Sequence, residues 1–251
     1  MGLSNFRYIM SLPRFANALR NTIVIGLLKL LINYPAPILF AIFLNEVKKP
    51  LFKRINQTIS YLPHFISWVV AAGMWYRMLS PSSGVINQVL LMLGIIKNPI
   101  NFVGEPDAFY PILLITDLWK ELGWSAIIYL AAITSISPEL YEAARVDGAN
   151  RLQQTLYITL PGIQPTMILM LVLAVSNLLN VGFDQIYNMT NIVVLEVGEV
   201  LDTLILRMLT VGSVRDLSLG TAMGLLKNTI ALALFLIANG SSRILFKESL
   251  L

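Results

Sequence analysis

The segment Glu142-Ala143-Ala144-Arg145-Val146-Asp147-Gly148-Ala149-Asn150, followed by Ile158-Thr159-Leu160-Pro161, gathers charged and helix-punctuating residues in one short polar stretch. Its chemistry is recognition rather than catalysis. Glu142 and Asp147 can pair with cations on a partner surface, and Gly148 lets the backbone turn without a steric penalty. The competing reading is a plain connecting loop whose charges are merely solvated. A second set, Asn177, Asn180, Asp184 and Gln185, falls at spacings of three, four and one within an apolar run. In a helix the first three share a face, where amides and a carboxylate offer directional hydrogen bonds while Phe183 or Tyr187 stacks on a ring. Such side chains also bind neighbouring helices together in membranes, and that reading weighs more. Trp119, Lys120, Glu121 and Trp124 carry the same two readings: ion pairing with Asp117 or another subunit and aromatic contact with a ligand, against purely structural pairing, which we favour.

No reaction chemistry emerges elsewhere. The chain has no cysteine and one histidine, His64, so thiolate sites, Cys nucleophiles and paired-His zinc sites are excluded. A Ser-His-Asp arrangement would depend on His64 at the start of an apolar run, where a structural interfacial residue is the simpler reading. No G-x-x-x-x-G-K-[ST] segment occurs, so ATP chemistry would belong to a partner. We assign no catalytic residue, metal ligand or resident cofactor to this chain.

The elements that must position these residues are membrane helices. The 251 residues are 56% hydrophobic and 13% charged, and the mean hydropathy is +0.72, far more apolar than a soluble domain. A net charge of +4 arises from short basic clusters beside apolar runs, which lipid headgroups and membrane orientation explain better than nucleic acid. Five stretches approach the length of about 20 residues that a spanning helix needs: 21–44, 59–79, 109–133, 163–186 and 219–237. Pro35 and Pro37 should kink the first. The whole chain, 1–251, reads as one all-α membrane domain.

Orientation follows from the connections. Lys48, Lys49, Lys53 and Arg54 crowd the first loop, whereas the segment 80–108 holds Lys97 against Glu105 and Asp107. The positive-inside rule places the first loop in the cytoplasm, so the polar segment 137–161 and the tail with Arg243 and Lys247 are also cytoplasmic and 187–218 is external. The start of the chain is then external. Residues 1–20 contain Arg7, Arg14 and Arg20 and no signal-peptide core, so a further spanning helix upstream is expected.

The polar segment carries ordered punctuation. Ser137 suits an N-cap, Pro138 the first helical position and Glu139 the positive end of the helix dipole. A helix over Pro138 to about Val146, a stop at Asp147-Gly148, and a second helix capped by Asn150 with Gln153 and bent or ended at Pro161 are therefore expected. In the external segment, Val194, Val197, Leu201, Leu204, Ile205 and Met208 recur at helical spacing, with Glu196 and Glu199 opposite and Asp202 on the flank. This suggests an interfacial amphipathic helix or a docking face for an external partner, with Gly198 able to delay its start. Lys29 and Lys227 are expected to snorkel or to face a subunit interface.

Taken together, Glu142-Ala143-Ala144, Asp147-Gly148-Ala149 and Ile158-x-Leu160-Pro161 resemble the EAA motif of membrane subunits of binding-protein-dependent ABC importers. Gln57-Thr58-Ile59-Ser60-Tyr61-Leu62-Pro63, Leu79-Ser80-Pro81-Ser82-Ser83-Gly84, Trp119-Lys120-Glu121-Leu122-Gly123-Trp124 and Asn180-Val181-Gly182-Phe183-Asp184 are similar to the branch that imports oligosaccharides. The resemblance covers essentially the whole chain. It departs at Thr155 and Leu156, where aromatic residues are frequent. It implies a polytopic helix bundle of the type I importer fold in the bacterial cytoplasmic membrane, with six or more helices. It also implies a second homologous permease, an ATPase dimer holding ATP and Mg, and an external solute-binding protein that delivers the sugar. The ATPase-coupling residues implied are Glu142, Ala143, Ala144, Asp147, Gly148, Ala149 and Pro161. Pathway candidates are Asn177, Asn180, Asp184, Tyr187, Trp119 and Trp124. The rival class is a self-contained secondary transporter or membrane sensor using its intramembrane charges, for which an inverted repeat would argue; none is visible.

Overall fold

The computed structural model describes residues 3–211 and 213–246; Lys247 of the expected cytoplasmic tail lies outside them. Among the described residues the regular structure is entirely helical. In chain order the helices are α1 (Ser4–Ser11), α2 (Pro13–Asn33), α3 (Pro35–Glu46), α4 (Pro50–Tyr61), α5 (Trp68–Met78), α6 (Val85–Met92), α7 (Pro106–Thr134) and α8 (Pro138–Val146). There follow α9 (Arg151–Gln154), a π turn (Thr155–Thr159), α10 (Leu160–Gly162), α11 (Gln164–Ser176), α12 (Phe183–Met189), α13 (Leu195–Gly198), α14 (Leu201–Val211) and α15 (Val214–Phe246). Pro13, Pro35, Pro50, Pro106 and Pro138 each open a helix, the position where a missing N–H removes no bond.

The chain forms two compact units, one of residues 1–29, 66–117 and 177–233, the other of 30–65, 118–176 and 234–251. In the first, Ile25, Ala72, Phe109, Leu113, Ile186, Met189 and Val200 make one apolar cluster. Ile9, Phe15, Ala18, Leu201, Leu204, Leu219 and Met223 make another, which binds α1 and α2 to α14 and the start of α15. In the second unit, Ile38, Ala41 and Leu44 of α3 pack on Ala126, Tyr129, Leu130 and Ile133 of α7 with Ile163. Large apolar side chains such as Leu31, Phe43, Leu225, Leu232 and Ile237 are exposed, which in a chain this apolar marks surfaces made for lipid or for partner helices.

Pro13–Glu46 and Arg215–Arg243 are each long and apolar enough to cross a bilayer, and the pair Arg151–Gly162 and Gln164–Ser176, bent by 62°, makes a third if it counts as one span. Helix α7 has 29 residues, about 44 Å at 1.5 Å per residue, and so also has the length to cross. Its charges at Asp117, Lys120 and Glu121 lower its apolar character.

Three expected boundaries change. The first helix starts at Pro13 rather than at residue 21, and its break falls at Tyr34, ahead of Pro35. The run 59–79 is not one helix: Leu62–Phe65 is a 3₁₀ turn and α5 restarts behind Ser67, whose Oγ accepts from Val70 N at 3.4 Å. Pro63 has no N–H to continue the ladder, so the helix tightens and stops there. Nor is the run 163–186 continuous. Helix α11 ends at Ser176, Asn180 N donates to Asn177 O at 2.8 Å in a turn, and Gly182 takes φ +87° before α12 begins. Gly26 explains part of that break, since a Cβ there would collide with the Leu178 carbonyl oxygen of the turn.

Candidate functional site

The polar segment folds as its punctuation requires. Ser137 Oγ accepts from Glu139 N at 3.3 Å, and Pro138 opens α8. At the other end Gly148 N donates to Arg145 O at 3.2 Å and Ala149 N to Ala144 O at 2.8 Å, with Gly148 at φ +79°. This pair of bonds around a left-handed glycine is the Schellman stop, which satisfies carbonyls that the helix end would leave bare. Asn150 then opens the next helix with a reciprocal capping box: Gln153 N donates to Asn150 Oδ1 at 2.9 Å, and Asn150 N donates to Gln153 Oε1 at 2.8 Å.

Two contacts hold this helix–turn–helix within its unit. The hydroxyls of Tyr141 and Thr159 lie 2.9 Å apart, and Arg151 Nη1 reaches Glu46 Oε2 at 2.5 Å. The π turn sits directly ahead of Pro161, and the chain bends by 62° before α11. Glu142 has only an i,i+3 contact with Arg145 at 3.8 Å, with both side chains more than half exposed, so the pair contributes little. Ala143, Asp147, Gly148 and Pro161 are exposed, and Ala144 and Ala149 half-buried. Around them Leu140, Val146, Leu152 and Tyr157 also expose apolar side chains, Val146 at 88%. A rigid short helix thus presents acidic groups beside apolar ones that its own unit leaves uncovered.

The other candidate residues separate into distinct environments. Asn177, Asn180 and Asp184 do not share a helical face. The asparagines lie in the turn that interrupts the expected span, Asn180 Nδ2 donating to Asn177 Oδ1 at 3.2 Å, and Asp184 starts α12. All three are exposed. Tyr187, also exposed, has its ring stacked on Phe183 at 5.4 Å. Buried Gln185, by contrast, donates to Leu113 O at 2.7 Å and Thr116 Oγ1 at 2.9 Å, while its Oε1 accepts from Lys29 Nζ at 2.6 Å. The same ammonium lies 2.9 Å from Asp117 Oδ1. Lys29 therefore does not snorkel; its ammonium joins α2, α7 and α12 within the first unit.

In the second unit Lys120 Nζ donates to His64 O at 2.5 Å and lies 3.4 Å from Glu121, whose other oxygen is 2.7 Å from His64 Nδ1. The His64 ring stacks on Trp124 at 4.4 Å with an interplanar angle of 2°, and Phe65 meets Trp124 edge-on. Trp124 remains 43% exposed and Trp119 is half-buried. A Cβ at Gly123 would collide with the Ser60 carbonyl, so this glycine is what lets α7 approach α4 closely. Sequence spacing places Lys120, Glu121 and Trp124 together on α7; their junction with His64, 57 residues away from Glu121, has no local signal.

The segment 187–218 differs from its expected amphipathic helix. It is broken into α13 and α14 at Glu199-Val200, the delay that Gly198 suggested. Glu199 is not a free outer face. Its carboxylate is 9% exposed and receives Arg14 Nε at 2.7 Å and Nη2 at 2.9 Å, with Arg207 Nη1 at 3.1 Å. Asp202 accepts from Lys227 Nζ at 2.5 Å, so Lys227 too serves the unit's interior rather than snorkelling.

The fold is that of an apolar, all-helical chain with spanning-length helices and an exposed, capped polar helix pair, and comparison with known proteins defines its class. Residues 33–247 match the family described as binding-protein-dependent transport system inner membrane component, and the chain belongs to that family, among the carbohydrate ABC importer permeases. It is 40% identical to the polygalacturonan/rhamnogalacturonan transport system permease protein YteP of Bacillus subtilis (strain 168) over 95% of this chain and 73% of that one. Protein LplB of the same organism is 38% identical over 95% of this chain and 74% of its own length. Among solved structures, a bacterial ABC transporter involved in the import of the acidic polysaccharide alginate superposes with a TM-score of 0.93 at 40% identity, covering 98% of this chain and 85% of that chain. The same kind of transporter in complex with alginate pentasaccharide-bound periplasmic protein superposes with a TM-score of 0.94 at 40% identity, over 100% of this chain and 85% of that chain.

Proposed function

We propose that this permease subunit passes an acidic oligosaccharide inward, driven by ATPase subunits that grip α8. The observation that carries the reading is the exposed helix pair 137–161, in which the Schellman stop and capping box hold Glu142, Val146 and Asp147 on an uncovered surface. Closure of an ATPase dimer would move this capped helix as a lever, and the bend before α11 would carry the motion into the membrane. The ATP and Mg sit on those partners; a second permease completes the pathway, and an external solute-binding protein delivers the sugar. In this reading the chain contributes five spans, built around the expected stretches, with segment 137–161 and the C-terminus cytoplasmic and 187–218 external.

The likeness to proteins named for polygalacturonan/rhamnogalacturonan and for acidic alginate supports an acidic substrate. Trp119 and Trp124 of α7, the latter with its ring already stacked on His64, are the aromatic pathway candidates, and exposed Asn177, Asn180, Asp184 and Tyr187 the polar ones. Glu142→Lys and Gly148→Pro, each in the reconstituted transporter, test the coupling. The expected outcome is normal membrane insertion with ATP-driven uptake reduced about tenfold or more. Unchanged uptake in both variants contradicts the assignment.

A further inference from the structure

We infer that the cavity under Arg207 is an external subsite for a saccharide carboxylate. The inference rests on the reading of this chain as an acidic-oligosaccharide permease with segment 187–218 outside, and deepens it. The cavity, about 370 Å³, lies in the first unit and is lined by Tyr187, Thr190, Asn191, Ile192, Leu195, Thr203 and Arg207. Its volume falls toward the lower end of the range of about 300–1,000 Å³ usual for small-molecule pockets.

Its charge is set by an unequal sharing of Glu199. Arg14 already holds that carboxylate bidentately, at 2.7 and 2.9 Å, and Arg207 adds only an edge contact at 3.1 Å. Two guanidinium groups on one carboxylate leave a surplus positive charge, and among the described residues Arg207, 39% exposed, is the only charged one lining the cavity. A planar guanidinium has five N–H donors, and Arg207 meets Glu199 through Nη1 alone, which leaves donors for a second carboxylate. The remaining walls are set. Thr203 Oγ1 bonds with Val200 N and Val200 O, both at 3.0 Å. Asn191 donates to Val103 O at 2.8 Å and accepts from Val193 N at 2.9 Å. Exposed Tyr187 contributes an aromatic ring and a hydroxyl, and Ile192 and Leu195 apolar lining. A uronate ring fits this chemistry: carboxylate on Arg207, ring against Tyr187.

The complete transporter in detergent, without its binding protein, is titrated with trigalacturonate and with the fully methyl-esterified trisaccharide, using wild type, Arg207→Gln and Arg207→Lys. Arg207→Gln is expected to weaken trigalacturonate binding about tenfold, the size of a lost charge-assisted bond, while leaving the neutral ester unaffected; Arg207→Lys should retain part of the difference. Equal trigalacturonate binding by wild type and Arg207→Gln overturns the subsite, as does equal weakening of the charged and neutral sugars. An effect of Arg207→Gln on binding-protein affinity alone overturns it in favour of a docking carboxylate on that protein. ATP-driven trigalacturonate uptake by the wild type is measured alongside. If it persists while the subsite result fails, only the subsite is lost; if the wild type neither imports nor binds an acidic sugar, both readings fall.

Discussion

Lys29 carries the polar interior of the first unit, holding Asp117 at 2.9 Å and Gln185 at 2.6 Å from separate helices. Removing one member of such a largely buried pair leaves a charge in a poor solvent, whereas removing both is far milder. Lys29→Met should therefore destabilise the purified complex by about 3–5 kcal/mol, and Lys29→Met with Asp117→Leu should recover most of that. Thermal unfolding in detergent reads both; equal melting of the single and double variants would contradict the pairing. The sequence offers no way to find this link. Asp117 lies beside Lys120 on α7, so local spacing suggests that partner, and nothing local points to Lys29, 88 residues away. The same holds for Glu199 and Asp202. By periodicity Glu199 reads as an outer-face charge and Asp202 as a flanking one, and both are tied inward by cations from other helices.

The helix pair 137–161 shows the opposite, because caps and stops are local chemistry. Ser137, Pro138, Gly148, Asn150 and Gln153 each do what their residue type favours at their position, and the expected helix over 138–146 is the one observed. Gly148→Ala forces a Cβ into a left-handed conformation at φ +79°, at a cost of about 1–2 kcal/mol. Nothing lies within 4 Å of that Cβ, so the penalty is conformational. Uptake should fall less than with Gly148→Pro, and a Gly148→Asn variant, which tolerates the left-handed region, should stay closest to wild type. Equal losses in all three would show that the turn's conformation is not what matters. The interruption at 177–182 was less legible. Asn177, Leu178, Leu179 and Asn180 are compatible with a helix, and the break is set by tertiary approach. Gly26→Val places side-chain atoms against the Leu178 carbonyl and should impair folding, seen as loss of the monodisperse complex in size-exclusion chromatography; an unperturbed elution profile would show that the approach is not tight.

At the scale of the whole molecule, composition and basic-residue placement made an apolar all-α membrane chain legible, and motif order made its family legible. Helix continuity was less so, since apolar runs such as 59–79 conceal a proline-directed break. The ionisable residues available to a self-contained transporter are engaged with one another inside the units: Lys29 with Asp117, Lys227 with Asp202, His64 with Glu121. That engagement favours a subunit moved by a partner over one driven by an ion gradient. The most direct measurement is uptake of a labelled acidic oligosaccharide into proteoliposomes holding this chain, its second permease and the ATPase subunits, with binding protein supplied on the substrate side. Uptake should require ATP, vanish when the ATPase subunits are omitted, and fall about tenfold or more with Glu142→Lys. Uptake by this chain alone under an ion gradient, or ATP-driven uptake untouched by Glu142→Lys, would contradict the account.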